Sequence, residues 1–162
     1  MQWLNASFAT QGLVPYHASL PTELQWECAA RYAADGVLSQ RAFPWKQGPA
    51  GADADMKEFE PYANLGLLVG DPTTVGLYPK GNSAAGLADM AGNVWEWMSH
   101  AYVSGYDPNK DLELQEATDG YLLRGGSWIS DPDSSRCSVR YSNFPGDWDD
   151  FIGFRVVLSL AD

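Results

Sequence analysis

Two short motifs near the C-terminus constrain this chain more than anything else in it. RGGSW (Arg124 to Trp128) and IGFR (Ile152 to Arg155) read as framework, and they enclose 23 residues of another kind. Between Ile129 and Phe151 there are five Ser, five Asp, two Pro and four aromatics (Tyr141, Phe144, Trp148, Phe151), with no Lys, Glu, Gln or Met. Neither the helical nor the strand period of apolar positions survives there. Whatever the fold, it has to hold an irregular, aromatic, Ser/Asp-rich loop inside a fixed frame, and that is the composition of a recognition surface.

The remainder of the chain supplies the frame. Trp3 to Gly12 has the spacing of a helix end, with Trp3, Leu4 and Phe8 on one side and Gly12 as the stop. LPTELQWECAAR carries a helix start, in which Thr22 is placed as cap and Gln25 can close a capping box. Leu24, Cys28 and Arg31 follow at helical spacing. From Phe43 to Gly86 the chain is rich in Gly, Pro, Ala and Asp and predicts long ordered loops, which need a staple. GNVWEWMSHAY (Gly92 to Tyr102) alternates and reads as a strand buried on one side, YLLRGGSW as a strand ending in a Gly-Gly turn, and IGFRVVLSL as a further single strand with Phe154, Val156 and Leu158 on one face.

LPTELQWECAAR, FPW (Phe43 to Trp45), GLADMAGNVWEW, LRGGSW and IGFR, in this order, resemble the formylglycine-generating-enzyme/sulfatase-modifying-factor family over about Leu20 to Leu158. The resemblance implies an α+β class: a loop-rich, C-type-lectin-like fold with short antiparallel strands and one or two helices. It implies one domain over residues 1–162, with the family's usual N-terminal portion absent ahead of the helix at Trp3.

Membership of such a family fixes fold better than activity, and three functions compete. In the oxidases that make formylglycine from a substrate cysteine, two thiolates bind copper, as a soft cation prefers. Those thiolates would fall at Ser130 and Ser135, where hydroxyls cannot replace them, so neither copper chemistry nor catalysis is expected. A sulfoxide synthase of the ergothioneine type needs three histidines for iron, and this chain has only His17 and His100. The third function is a non-catalytic binding module, most like the variable proteins diversified by retroelements, with Ile129 to Phe151 as the variable segment. In those systems AAY codons become NNY, which cannot encode Trp, Lys, Glu, Gln or Met. Only Trp148 of the enclosed 23 residues belongs to that set, against 27 of the other 139. The expectation is therefore a displayed surface formed by Ser130, Asp131, Asp133, Ser135, Tyr141, Asn143, Phe144, Asp147, Trp148, Asp149 and Phe151, facing a protein ligand; the alternative is a formylglycine-generating oxidase acting on a sulfatase cysteine.

The resemblance also implies calcium. One site would use Asp89, the carbonyls of Gly92 and Val94, and Glu96; a second would use Asn64 and the carbonyl of Leu65, with Asp71 nearby. Hard cations want six to eight oxygens, and irregular loops have carbonyls to offer. The bland counterpart is a turn-forming Asp and a Glu paired with an Arg. Arg124, Gly125, Gly126 and Arg155 are expected to be structural, and Trp95, Trp97 and Trp128 to be core.

Charge narrows the partners. Ten basic against 21 acidic residues leave a net charge of -11, which repels nucleic acid and anionic bilayers alike. No apolar run approaches the length of a membrane span and no export signal is visible, so a soluble protein of unknown location is expected. Two cysteines, Cys28 and Cys137, are too few for a disulfide framework. Cys28 reads as a buried apolar residue, and the state of Cys137 is open.

Overall fold

A computed structural model describes residues 1–12, 16–31, 41–45, 48–49, 54–103 and 120–160. The helix start expected at Thr22 forms as a reciprocal capping box: the Gln25 N–H donates to Thr22 Oγ1 at 3.1 Å and the Thr22 N–H to Gln25 Oε1 at 2.9 Å. The helix α2 that follows, Glu23–Arg31, buries Glu23, Trp26 and Ala30 and leaves Leu24 exposed. The buried stripe is thus offset from the one that apolar spacing suggested. It is offset because Glu23 and Glu27 both turn toward the buried Arg124.

Helix α1, Gln2–Thr10, ends where Gly12 takes a positive φ of 70°, but it buries none of its side chains fully, and Trp3 is exposed. It grips strand β1 (Tyr16–Ser19) through one residue. Asn5 Oδ1 accepts from the Ala18 N–H at 2.6 Å, and Asn5 Nδ2 donates to the Ala18 carbonyl at 3.0 Å.

The main sheet has four strands in the order β4-β3-β2-β5: β2 is Trp95–Ala101, β3 Tyr121–Arg124, β4 Tyr141–Asn143 and β5 Ile152–Phe154. The pairs β2/β3 and β3/β4 are antiparallel, as the expected short antiparallel strands would be, and β2/β5 adds one parallel pair. IGFRVVLSL is likewise two strands. Arg155 breaks it by turning in to Glu96, and Val157–Leu160 (β6) leaves to pair antiparallel with β1.

Register places Trp95, Trp97, Leu123 and Tyr141 on one sheet face, and Glu96, Met98, Leu122 and Arg124 on the other. Helix α2 covers the second face: Trp26, Ala30, Met98, Leu122, Met90 and Cys137 form a continuous buried cluster. The indole of Trp26 donates to Glu96 Oε2 at 2.7 Å, and the Arg124 guanidinium lies 5.1 Å over the same ring. Both faces of β2 are therefore engaged, where one was expected.

The long loop region has its own core. Phe43 and Trp45 stack with centroids 4.8 Å apart and planes 4° from parallel, Phe59 meets both edge-on, and Ala63, Leu65 and Ala91 complete the cluster. Phe59 comes from a one-turn helix, α3 (Met56–Phe59), which its Asp55/Glu58 capping box announces and which the Gly/Pro/Ala/Asp composition had hidden. The region is pinned to the sheet at Gly92, whose φ of 78° and contact with the Asn64 carbonyl leave no room for a Cβ.

Candidate functional site

Arg124 begins the frame of the enclosed segment. It is wholly buried; its NH1 donates to the Val139 carbonyl at 2.6 Å and its NH2 to Glu27 Oε2 at 2.6 Å. Burial pushes its guanidinium pKa below the ordinary value, and Glu23 and Glu27 pull it back. Arg140 adds a second clamp, forking onto Glu23 at 2.7 and 3.0 Å and donating to the Val103 carbonyl at 2.9 Å. Two arginines thus tie residues 139 and 140 to α2. Arg124 and Arg155 have the structural roles expected of them.

Within that anchorage, residues 129–140 turn their polar groups on themselves. Asp131 Oδ1 accepts from the Ser134 N–H at 2.7 Å, which holds its carboxyl below the usual range. Asp133 pairs with Arg136 at 2.7 Å. Ser130 Oγ accepts from the Ser127 N–H at 3.0 Å. Ser135, expected at the displayed surface, is fully buried against Gly126, with its hydroxyl donating to the Asp131 carbonyl at 3.1 Å, so no partner can reach it. Cys137 is buried in the α2 cluster and its thiol is pushed up to about 12 by burial, which keeps it protonated and poorly nucleophilic. Cys28, expected buried, is only partly so.

From Tyr141 the character changes. Strand β4, which the aperiodic composition concealed, starts at Tyr141 on one edge of the sheet, and β5 enters at the opposite edge. Residues 144–151 must therefore cross the sheet, roughly 14 Å for three strand spacings. The crossing is built of two turns, closed by Asp147 N–H to Phe144 O at 2.9 Å and Ile152 N–H to Asp149 O at 3.2 Å. Trp148 sits between them and is 90% exposed; Phe144 is 57% and Tyr141 49% exposed. The far end is secured by the Trp95 N–H donating to the Phe151 carbonyl at 2.8 Å.

The displayed aromatics are not tucked into the core, as they would be in a plain acidic surface loop. Tyr141 stacks on Trp95 at 5.3 Å, so a tryptophan assigned to the core is also the platform beneath the surface. Asn143, Gly146, Asp147, Trp148 and Asp149 line a shallow depression of 280 Å³, while Phe151 is half-buried. Of the expected surface, Asn143, Asp147, Trp148 and Asp149 come together in that depression, while Tyr141 and Phe144 are exposed on the same stretch of chain without lining it. Asp131 and Asp133 are exposed elsewhere, lining a separate 300 Å³ depression with Ala54, Met56 and Pro132. Sequence reading also missed a 390 Å³ apolar cavity among Leu20, Trp97, Met98, Ser99, Tyr121 and Pro145, where Pro145 begins the crossing.

The two places expected to hold calcium differ. Glu96 receives Arg155 through Nε at 3.0 Å and NH2 at 2.7 Å, besides the Trp26 indole, and Arg155 also donates to the Ala88 carbonyl. Burial raises the Glu96 pKa while Arg155 and Trp26 lower it, and Asp89 accepts from the Gly76 N–H. A carboxylate already neutralised by a guanidinium fits a divalent ion poorly. At the second place Asn64 Oδ1 is buried with no partner, although its Nδ2 donates to the Asp71 carbonyl at 2.8 Å. An orphaned buried oxygen fits a hard cation better, even though the Leu65 carbonyl already accepts from the Leu68 N–H. No helix among the described residues is long and apolar enough to cross a membrane.

Comparison with known proteins places this geometry in context. Residues 2–160 match the family described as sulfatase-modifying factor enzyme 1-like domain. The hercynine oxygenase of Mycobacterium tuberculosis is 36% identical over 148 residues, 88% of this chain and 33% of that protein. The inactive C-alpha-formylglycine-generating enzyme 2 of Mus musculus is 33% identical, over 88% of this chain and 43% of that one. Among solved structures, Treponema denticola variable protein 1 superposes with a TM-score of 0.67 at 28% identity, covering 86% of this chain and 46% of that one. The chain thus spans about a third of the hercynine oxygenase and less than half of the other two.

Proposed function

Because the chain belongs to the sulfatase-modifying factor enzyme 1-like domain family, whose similar proteins range from an oxygenase to an inactive enzyme and a variable protein, we propose that it is a non-catalytic ligand-binding protein. Its contact surface is the stretch from Tyr141 to Phe151, within a segment, residues 129–151, diversified by a retroelement, and its ligand is a protein. One observation carries this reading: Trp148 and Phe144 stand exposed on a crossing whose two turns are hydrogen-bonded, next to an exposed Tyr141 in β4. Large, stiff aromatics on a preorganised backbone are what a protein-binding surface requires, since little ordering remains to be done on association.

The loop after Asn64 supports the frame, its Gly66 and Leu67 N–H groups donating to the Ser130 and Trp128 carbonyls. Calcium at Asn64 and the Leu65 carbonyl would add rigidity to the residues 64–73 loop, which already leans on Asn93 through Thr73. The ion has no role in chemistry under this reading.

The surrounding DNA tests the variable-protein reading directly. A near-copy of the codons for residues 129–151 with adenine-rich codons at the displayed positions, beside a reverse-transcriptase gene, is the expected finding; a genomic neighbourhood lacking both sinks the diversification claim. Incubating the protein with copper and a sulfatase-type cysteine peptide is expected to yield no formylglycine. Product by mass spectrometry would replace this reading with the oxidase.

A further inference from the structure

Trp148 is the largest apolar side chain on the described surface to be left almost entirely in water, and its neighbours say what would cover it. It shares a shallow depression with Asp147, Asp149, Asn143 and Gly146. The two cations of the enclosed segment are engaged elsewhere, Arg136 with Asp133 at 2.7 Å and Arg140 with Glu23 at 2.7 Å. Among the described residues neither Asp147 nor Asp149 has an ion-pair partner. An indole face flanked by two free carboxylates is complementary to a side chain that is both flat or long and positively charged. The ring quadrupole attracts the cation and the carboxylates accept its N–H groups.

Resting on the ligand-binding reading above, we propose that this surface takes a basic segment of a protein partner, with an Arg or Lys side chain laid on Trp148 between Asp147 and Asp149. The whole-chain charge of -11 acts in the same sense, steering basic partners in and acidic ones away. The two turns on either side of Trp148 hold the three side chains in order, so the segment binds to a surface that is already formed.

The test uses the full chain, labelled with ¹⁵N, titrated with three peptides of equal length: four repeats of Arg-Gly-Ser, of Gln-Gly-Ser and of Glu-Gly-Ser. The expected result is that the arginine peptide alone shifts the Trp148 indole N–H and the amides of residues 143–149, with affinity falling about 5-fold or more in Asp149→Asn or Trp148→Ala and on raising the salt. Glu60→Gln, which removes one exposed charge far along the chain, should change it less than 2-fold. An unchanged amide spectrum outside residues 141–151 verifies that each variant is folded. If Glu60→Gln weakens binding as much as Asp149→Asn, the attraction is diffuse charge and the proposal falls. Equal shifts from the glutamine peptide would overturn the basic partner while leaving a binding surface standing. Silence from all three peptides counts against both.

Discussion

Residues 129–140 and 141–151 are written in nearly the same alphabet of Ser and Asp, yet one half is scaffold and the other is display. In the first half the short polar side chains close turns and cap each other, two arginines bind the chain to α2, and Ser135 and Cys137 have no exposure at all. In the second, backbone groups close the two turns, Asn143 Oδ1 accepts from the Phe144 N–H, and the side chains of residues 144–150 are left outward. Ser and Asp are ambiguous because the same oxygen that recognises a partner can accept a backbone N–H two or three residues away. The difference lies in who supplies the donor.

Several substitutions would sharpen or break that contrast. Arg124→Ala should be the most damaging, destabilising the protein by about 3 kcal/mol or more in urea denaturation, because Glu23 and Glu27 lose a wholly buried counter-charge. Ser135→Phe comes next, about 1–3 kcal/mol through overpacking against Gly126. Trp148→Ser should stay within about 0.5 kcal/mol of the parent, as a displayed residue would. If it costs as much as Ser135→Phe, the division of the segment is wrong.

Cys137 offers a chemical version of the same experiment. Its native pKa of about 12 lies above the unfolded thiol, so the folded state holds the proton more tightly. The stability this confers is complete below the unfolded pKa near 9 and is lost as pH rises from there toward 12. At pH 8 a thiol reagent should label Cys28 in the native protein and Cys137 only after denaturant is added; rapid native labelling of Cys137 would place the first half at the surface. The smallest effect expected is that of calcium, which should raise Tm by about 2–4 °C through Asn64 and do nothing in Asn64→Ala. An equal rise in that variant would move the ion elsewhere.

Much of this architecture could be read in the chain beforehand. The Thr22/Gln25 box, the Gly125-Gly126 turn and the strand at Trp95 follow from local chemistry, and the motif order pointed to the family. What escaped was settled by long-range geometry. Three-residue β4 carries no period of its own and exists only because Leu123 and Leu122 stand opposite Tyr141 and Ser142. The break at Arg155 depends on Glu96, which lies 59 positions away in the chain. Of the site, the aromatic positions were legible and Ser135 was not. One available signal went unused: all four aromatics of the segment fall after Arg140, and its cysteine and both arginines fall at or before it.

The crossing from β4 to β5 has a mechanical side. Nine backbone steps reach at most ~30 Å, and two closed turns consume part of that length over a path of ~14 Å or more. Both ends are nailed to opposite edges of one sheet. Letters can be exchanged along such a bridge at little risk, but removing one would break one of the two hydrogen-bonded turns that set the position of Trp148. Under the proposed function, the identities of the surface residues are free to change while their number is held by the two turns.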